Sequence, residues 1–155
     1  GVKRRLELLA DIEGIKGIES VKVYDDFAHH PTAIETTLDG LKKQVGGDVI
    51  IALIEPRSNT MKMGVHQNSL LASAEKSDVS IWANLATDGS MNWLNDMVEN
   101  ANSKHQLGTS VDNIIDIVTQ QLKSKPSGKK HIVIMSNGGF SGIHQTLITA
   151  LKKGI

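Results

Sequence analysis

Residues 48–56 read Asp-Val-Ile-Ile-Ala-Leu-Ile-Glu-Pro, and residues 131–136 read His-Ile-Val-Ile-Met-Ser. Each is a short run of consecutive apolar side chains, rich in Ile and Val, bounded by polar residues. A strand with one wet face alternates apolar and polar positions. A run without alternation fits a strand covered on both faces. Val49 to Ile54 is read as one such strand, Val79 to Ala83 as a second and His131 to Ser136 as another, with a short strand near His105 to Leu107.

Between these runs the period changes. Ile34, Leu38, Leu41 and Val45 recur at steps of four, three and four, which places them on one face of a helix. Pro31 suits its first turn, Thr32 and Glu35 fit a capping box, and Gly46-Gly47 ends it. His66 to Lys76 gives a weaker helix. Trp93, Leu94, Met97, Val98 and Ala101 form a further helical stripe. Val111, Ile114, Ile115, Val118 and Leu122 form the clearest one, and Ile143, Leu147 and Leu151 mark the last. Upstream, Arg4 to Ala10 and Ser20 to Tyr24 alternate around Gly14 and Gly17 and read as a hairpin at one sheet edge. Helices alternating with buried strands predict an α/β fold: a three-layer Rossmann-like sandwich with a mostly parallel sheet and an N-terminal antiparallel hairpin strand.

The 155 residues suit one domain. Only five of them are aromatic, so the core is built from Ile, Leu, Val and Ala. Seventeen basic side chains balance seventeen acidic ones, which excludes a strongly basic nucleic-acid binder. The absence of Cys excludes a disulfide framework and a thiol nucleophile and fits a cytoplasmic location. No apolar run approaches the roughly 18 residues of a membrane span, and the opening Gly1 to Gly14 has no signal-peptide core. That opening lacks Met and runs straight into a patterned segment, so the sequence is read as a piece of a longer chain.

Ligands of such sheets bind in the loops after the carboxyl ends of the strands. Three of those loops are polar. Tyr24 to Pro31 holds Asp25, Asp26, His29 and His30, compatible with metal binding or with a capping Asp beside solvated histidines. Glu55 to Gly64 holds Arg57, Ser58, Asn59 and Thr60; Arg57 offers a fork for a carboxylate or phosphate, or is a plain surface residue. Ser136 to Gly142 is glycine-rich and serves either an anion at a helix N-terminus or a tight turn. It is neither a Walker loop nor a dinucleotide fingerprint. Ser141 and His144 do not form a hydrolase pair, because Ser is not at the centre of a Gly-x-Ser-x-Gly elbow. His66, His105 and His131 are expected at the surface or at element ends. The three loops should share one edge of the sheet, as a site that recognises small anions rather than one that supplies a nucleophile.

The segment Asp-Asp-Phe-Ala-His-His-Pro at 25–31 resembles the Asp-(Tyr/Phe)-(Ala/Gly)-His-x-Pro motif that opens the C-terminal domain of the Mur ligases, the ATP-dependent amide-bond ligases of peptidoglycan synthesis. The resemblance extends along the whole chain. Glu-Pro-Arg-Ser-Asn-Thr at 55–60 and Ser-Asn-Gly-Gly-Phe-Ser-Gly at 136–142 are most similar to the branch that attaches recycled tripeptide, L-Ala-γ-D-Glu-meso-diaminopimelate, to UDP-N-acetylmuramate. The L-alanine-adding branch typically has Pro-His-Arg in the second loop. Phe27 stands where Tyr is commoner.

What the resemblance implies is an acyl-phosphate mechanism using ATP and Mg2+, in a three-domain enzyme whose UDP-binding and central ATPase domains are not in this sequence. Residues 1–155 would be the C-terminal domain, inactive alone, with its own N-terminal and central domains as partners. Arg5 and Asp25 or Asp26 would face the nucleotide and ribose, and the catalytic His29 its phosphates. Arg57, Ser58, Asn59 and Thr60 would meet the carboxylates of the murein tripeptide across from Ser136, Asn137 and Gly138. No metal is assigned to this domain, and neither nucleic acid nor membrane is a partner. L-alanine addition and a non-catalytic small-molecule-binding module are the alternatives.

Overall fold

A computed structural model of the chain describes residues 5–155. Its six strands are β1 (Glu7–Ile12), β2 (Ser20–Asp26), β3 (Val49–Glu55), β4 (Val79–Ala83), β5 (His105–Gly108) and β6 (Lys129–Ser136). They form one sheet in the order β1-β2-β6-β3-β4-β5, parallel except for the β1–β2 pair. The helices are α1 (Pro31–Val45), α2 (Gln67–Ser73), α3 (Asn92–Glu99), α4 (Val111–Ser124) and α5 (Ile143–Lys152).

The unbroken apolar runs divide between two cores because successive strand side chains point to opposite faces. Ile51, Leu53, Ile132 and Ile134 pack on one face with Ile114, Val118 and Leu122 of α4 and Ile143, Leu147 and Leu151 of α5. Ile50, Ala52, Ile54, Val133 and Met135 pack on the other with Ile34, Leu38 and Leu41 of α1, Leu70 of α2 and Leu94 and Met97 of α3. The expected three-layer sandwich is therefore observed, with its antiparallel strand at the N-terminal edge.

Several local expectations are corrected. The first strand starts at Glu7, not Arg4, and runs to Ile12; Arg4 itself lies outside the described residues. Leu6 has φ +44°, which no strand accommodates, and a bulge between Leu8 and Ala10 breaks the apparent alternation. Leu8 and Leu9 are exposed in consequence, while Ala10 and Ile12 face the core. The capping box at Thr32 and Glu35 does not form. Pro31 already occupies the first helical turn, behind His30 as N-cap, and the Thr32 carbonyl accepts the Thr36 hydroxyl proton instead.

Two histidines expected at the surface or at element ends are buried. His131 sits within β6 at 3% exposure. Its Nε2 faces Asp48 Oδ2 at 2.9 Å and its Nδ1 faces the Tyr24 hydroxyl at 2.8 Å. A neutral ring protonated on Nε2 donates to the first and accepts from the second. Burial, with Asp11 and Asp48 nearby, pushes the Tyr24 phenol above its usual pKa and keeps it a donor. His105 does begin β5, yet it is buried and its Nδ1 accepts the Trp82 indole N–H at 3.0 Å. A buried imidazole is tolerated where its nitrogens are paired, and that pairing is long-range. His66, the N-cap of α2, is exposed as expected.

Candidate functional site

The carboxyl ends of β2, β6, β3 and β4 are adjacent, so the loops that follow them crowd one edge of the sheet. Between the loops after β3, β4 and β6 lies a cleft of about 430 Å3. Arg57 and Ser58 line it from the first of these, and Ser136, Asn137 and Gly138 from the last. Glu55, Pro56 and an apolar wall of Ala83, Leu85, Ala86 and Met91 complete it. Five of the residues singled out from two distant loops thus share one cavity.

The cleft walls are fixed by hydrogen bonds. Ser136 is fully buried at the end of β6, and its hydroxyl donates to Glu55 Oε1 at 2.6 Å. Ser136 Oγ in turn accepts the Gly138 N–H at 3.1 Å, which sets the turn after the strand. Arg57, Asn137 and Gly138 are exposed at the rim. A guanidinium opposite a glycine turn suits a carboxylate-bearing ligand.

Thr60 and Asn59 sit beside the cleft rather than in its lining. Thr60 is 4% exposed, and its hydroxyl donates to the Arg57 carbonyl at 2.6 Å. It shapes the loop from inside and is absent from the cleft lining. Asn59 is exposed but does not line the cleft either; its carbonyl accepts the Met63 N–H at 3.1 Å. Both residues belong to the turn that presents Arg57.

The first loop builds a separate place. Asp25 and Asp26 are the last residues of β2 rather than loop residues, and both are buried. Asp26 accepts the Leu6 N–H at 2.9 Å on Oδ2, and the Ala28 N–H at 2.8 Å and the Thr37 hydroxyl at 3.2 Å on Oδ1. At 1% exposure with both oxygens engaged, it organises the entry strand, the loop and α1. Asp25 Oδ1 faces His144 Nε2 of α5 at 2.9 Å. A second cavity of about 290 Å3 is lined by Arg5, Leu6, Asp26, Phe27, Ala28, Ala33, Thr36 and Thr37, with the Arg5 guanidinium 5.8 Å from the Phe27 ring centre. His29 lines neither cavity. Its Nδ1 donates to the Phe27 carbonyl at 2.9 Å in the tautomer that leaves a lone pair on Nε2.

The sequence reading missed the loop after β4. Leu85, Ala86 and Met91 carry no polar signal, and only the adjacency of β4 to β3 would have brought them in. Glu55 was placed in the second polar loop without a role; it is the last residue of β3 and lines the cleft. Among the described residues no three His, Asp or Glu side chains converge as a metal-ligand group. No helix there is long and apolar enough to cross a membrane.

Comparison with known proteins follows the same lines. The family model described as "Mur ligase, glutamate ligase domain" matches residues 4–138. The UDP-N-acetylmuramate–L-alanyl-γ-D-glutamyl-meso-2,6-diaminoheptanedioate ligases of Haemophilus influenzae and Escherichia coli K12 are 38% and 42% identical over 152 and 153 residues, 97% of this chain in both cases. The chain spans 31% of the length of each. The crystal structure of a murein peptide ligase from Psychrobacter arcticus 273-4 superposes with a TM-score of 0.77 at 45% identity, covering all of this chain and 31% of that one. A family model spanning most of the sequence, over a fold and a loop arrangement that agree with it, establishes that this chain belongs to the Mur ligase family.

Proposed function

We propose that this chain is the C-terminal domain of a three-domain, ATP-dependent ligase joining UDP-N-acetylmuramate to L-Ala-γ-D-Glu-meso-diaminopimelate in peptidoglycan recycling. The observation that carries this reading is the convergence of Arg57, Ser58, Ser136, Asn137 and Gly138 on one cleft. A peptide ending in diaminopimelate is rich in carboxylates, and the forked donor Arg57 at the cleft rim answers that chemistry. The ligases similar over nearly the whole chain are named for this tripeptide, which supports the same substrate here.

In this reading ATP activates the muramate carboxylate as an acyl phosphate. The alanyl amine then attacks the carbonyl carbon, losing a proton as the amide forms and phosphate departs. The domain's contribution is to hold the amine substrate in line. His29, on the same sheet edge, offers Nε2 toward the phosphates, and Arg5 with the Asp25–Asp26 strand end faces the nucleotide. The magnesium belongs to the central ATPase domain, and the UDP-binding domain holds the muramate. Release of ADP by the full-length protein tests the proposal. It should require UDP-N-acetylmuramate and the tripeptide together; release that ignores the peptide would remove the amine-ligase role.

A further inference from the structure

The apolar wall of the cleft takes its shape from a side chain that does not line it. The loop after β4 leaves the sheet at Asn84 and ends at Met91, the N-cap of α3, and residues 86–90 between them are exposed. Buried Asn84 closes this loop from both ends. Its Oδ1 accepts the Ala86 N–H at 3.2 Å, and its Nδ2 donates to the Met91 carbonyl at 3.2 Å. Nδ2 also donates to Asn95 Oδ1 of α3 at 2.8 Å. Only one orientation of the amide answers an N–H on one side and a carbonyl on the other. The Asn84 backbone N–H donates to the Gly108 carbonyl of β5 at 2.8 Å, which ties the residue to the sheet. Among the described residues the other hydrogen bonds of the loop stay within it or reach the first turn of α3. They run from the Ser90 N–H to Asp88, from the Asn92 N–H to Gly89 and from the Leu94 N–H to Met91.

Ala86 and Met91, the residues that Asn84 grips, both line the cleft, and Asn84 does not. An apolar wall strengthens binding through the surface it covers, but a wall that is ordered only on binding loses part of that gain to entropy. A loop with an exposed tip and no second hydrogen bond to the sheet is open to that loss. We propose that Asn84 is a positioning residue for the amine substrate. By fixing Ala86 and Met91 before the ligand arrives, it sets the width of the cleft and presents an ordered apolar surface to the aliphatic part of the peptide. This rests on the peptide-ligase reading. Asn84 acts through the wall alone, so its effect is confined to the substrate that enters the cleft.

The experiment uses the full-length ligase and follows the KM of each substrate with the other two saturating. Asn84→Asp keeps an acceptor for the Ala86 N–H but, as a carboxylate, has no proton for the Met91 carbonyl; Asn95 can turn its own amide to meet it. The variant should raise the tripeptide KM about fivefold to tenfold, with kcat within about twofold and the KM values for ATP and UDP-N-acetylmuramate unchanged. Asn95→Ala removes one partner of Nδ2 and leaves the grip on Ala86 and Met91. It should raise the tripeptide KM alone, by about twofold to threefold, and it carries the test if Asn84→Asp does not fold. A tripeptide KM that neither variant moves overturns the proposal. So does a parallel change in kcat and all three KM values, the mark of a general loss of structure. Wild-type protein that does not ligate the tripeptide overturns the peptide-ligase reading itself, and the role of Asn84 with it.

Discussion

Asp25 at the end of β2 and His144 in the first turn of α5 meet at 2.9 Å, Oδ1 to Nε2, across 119 positions of sequence. This contact joins the loop that carries His29 to the helix that follows the Ser136 loop, so two walls of the functional edge are mechanically linked. Both side chains are largely buried, at 11% and 21% exposure. A double-mutant cycle with Asp25→Asn and His144→Ala should give a coupling energy of about 1 kcal/mol in urea unfolding. Additive effects would show that the two loops are held independently.

Thr60 is expected to act on the ligand through Arg57. Its hydroxyl donates to the Arg57 carbonyl at 2.6 Å from a buried position. Thr60→Ala should lower stability by about 1 kcal/mol. It should also raise the peptide KM of the full-length ligase roughly threefold to tenfold with little change in kcat. Thr60→Ser, which keeps the hydroxyl, should restore the KM. A Ser variant as impaired as Ala would point to packing of the methyl group instead.

His105 makes the fold sensitive to acid. Burial, reinforced by the charge of neighbouring Lys104, holds its pKa below the ordinary histidine value. The Trp82 indole N–H also needs a lone pair on Nδ1. The unfolded chain takes up this proton near pH 6.5 and the folded chain only at lower pH. The stabilisation is therefore complete above about pH 6.5 and is lost as the pH falls from there through the folded value. Thermal unfolding at pH 8 and pH 5 should show a larger loss for wild type than for His105→Gln. Equal losses would remove His105 as the acid-sensitive group.

Gly108, the last residue of β5, has no room for a side chain. A Cβ there would lie 2.3 Å from Ile114 Cγ1 and 3.3 Å from Ile81 Cγ2. The close approach lets α4 pack on the sheet next to its edge strand. Gly108→Ala should cost about 1–3 kcal/mol in urea unfolding. An unchanged midpoint would mean that β5, paired on one side only, moves aside at no cost.

These contacts mark the limit of what the sequence discloses. Val49 to Ile54 and His131 to Ser136 were legible because burial on both faces leaves an unbroken apolar run, and the helices because their stripes keep a 3.6-residue period. Glu7 to Ile12 was less so: a one-residue bulge and the positive φ of Leu6 destroy the alternation on which strand boundaries depend. For the site, motif order brought Arg57 and Ser136 into one cleft. Residue types alone could not tell Arg57, whose side chain lines the cleft, from Thr60, whose hydroxyl turns inward to the backbone. Nor could they separate Asp26, which is held by Leu6, from Asp25, which meets His144, because carboxylates are assigned by hydrogen bonds to residues that distant in sequence. Leu85 and Met91 carried no sign of a site, since apolar walls are specified only by strand order.

The central claim is that the cleft between the Arg57 and Ser136 loops takes a peptide rather than a single amino acid. The most direct test gives the full-length protein ATP, magnesium and UDP-N-acetylmuramate, with L-alanine and L-Ala-γ-D-Glu-meso-diaminopimelate in equal amounts, and weighs the products by mass spectrometry. UDP-muramoyl-tripeptide as the dominant product, depressed by Arg57→Ala, is the predicted result. UDP-muramoyl-alanine as the dominant product would contradict it and give the cleft a different substrate.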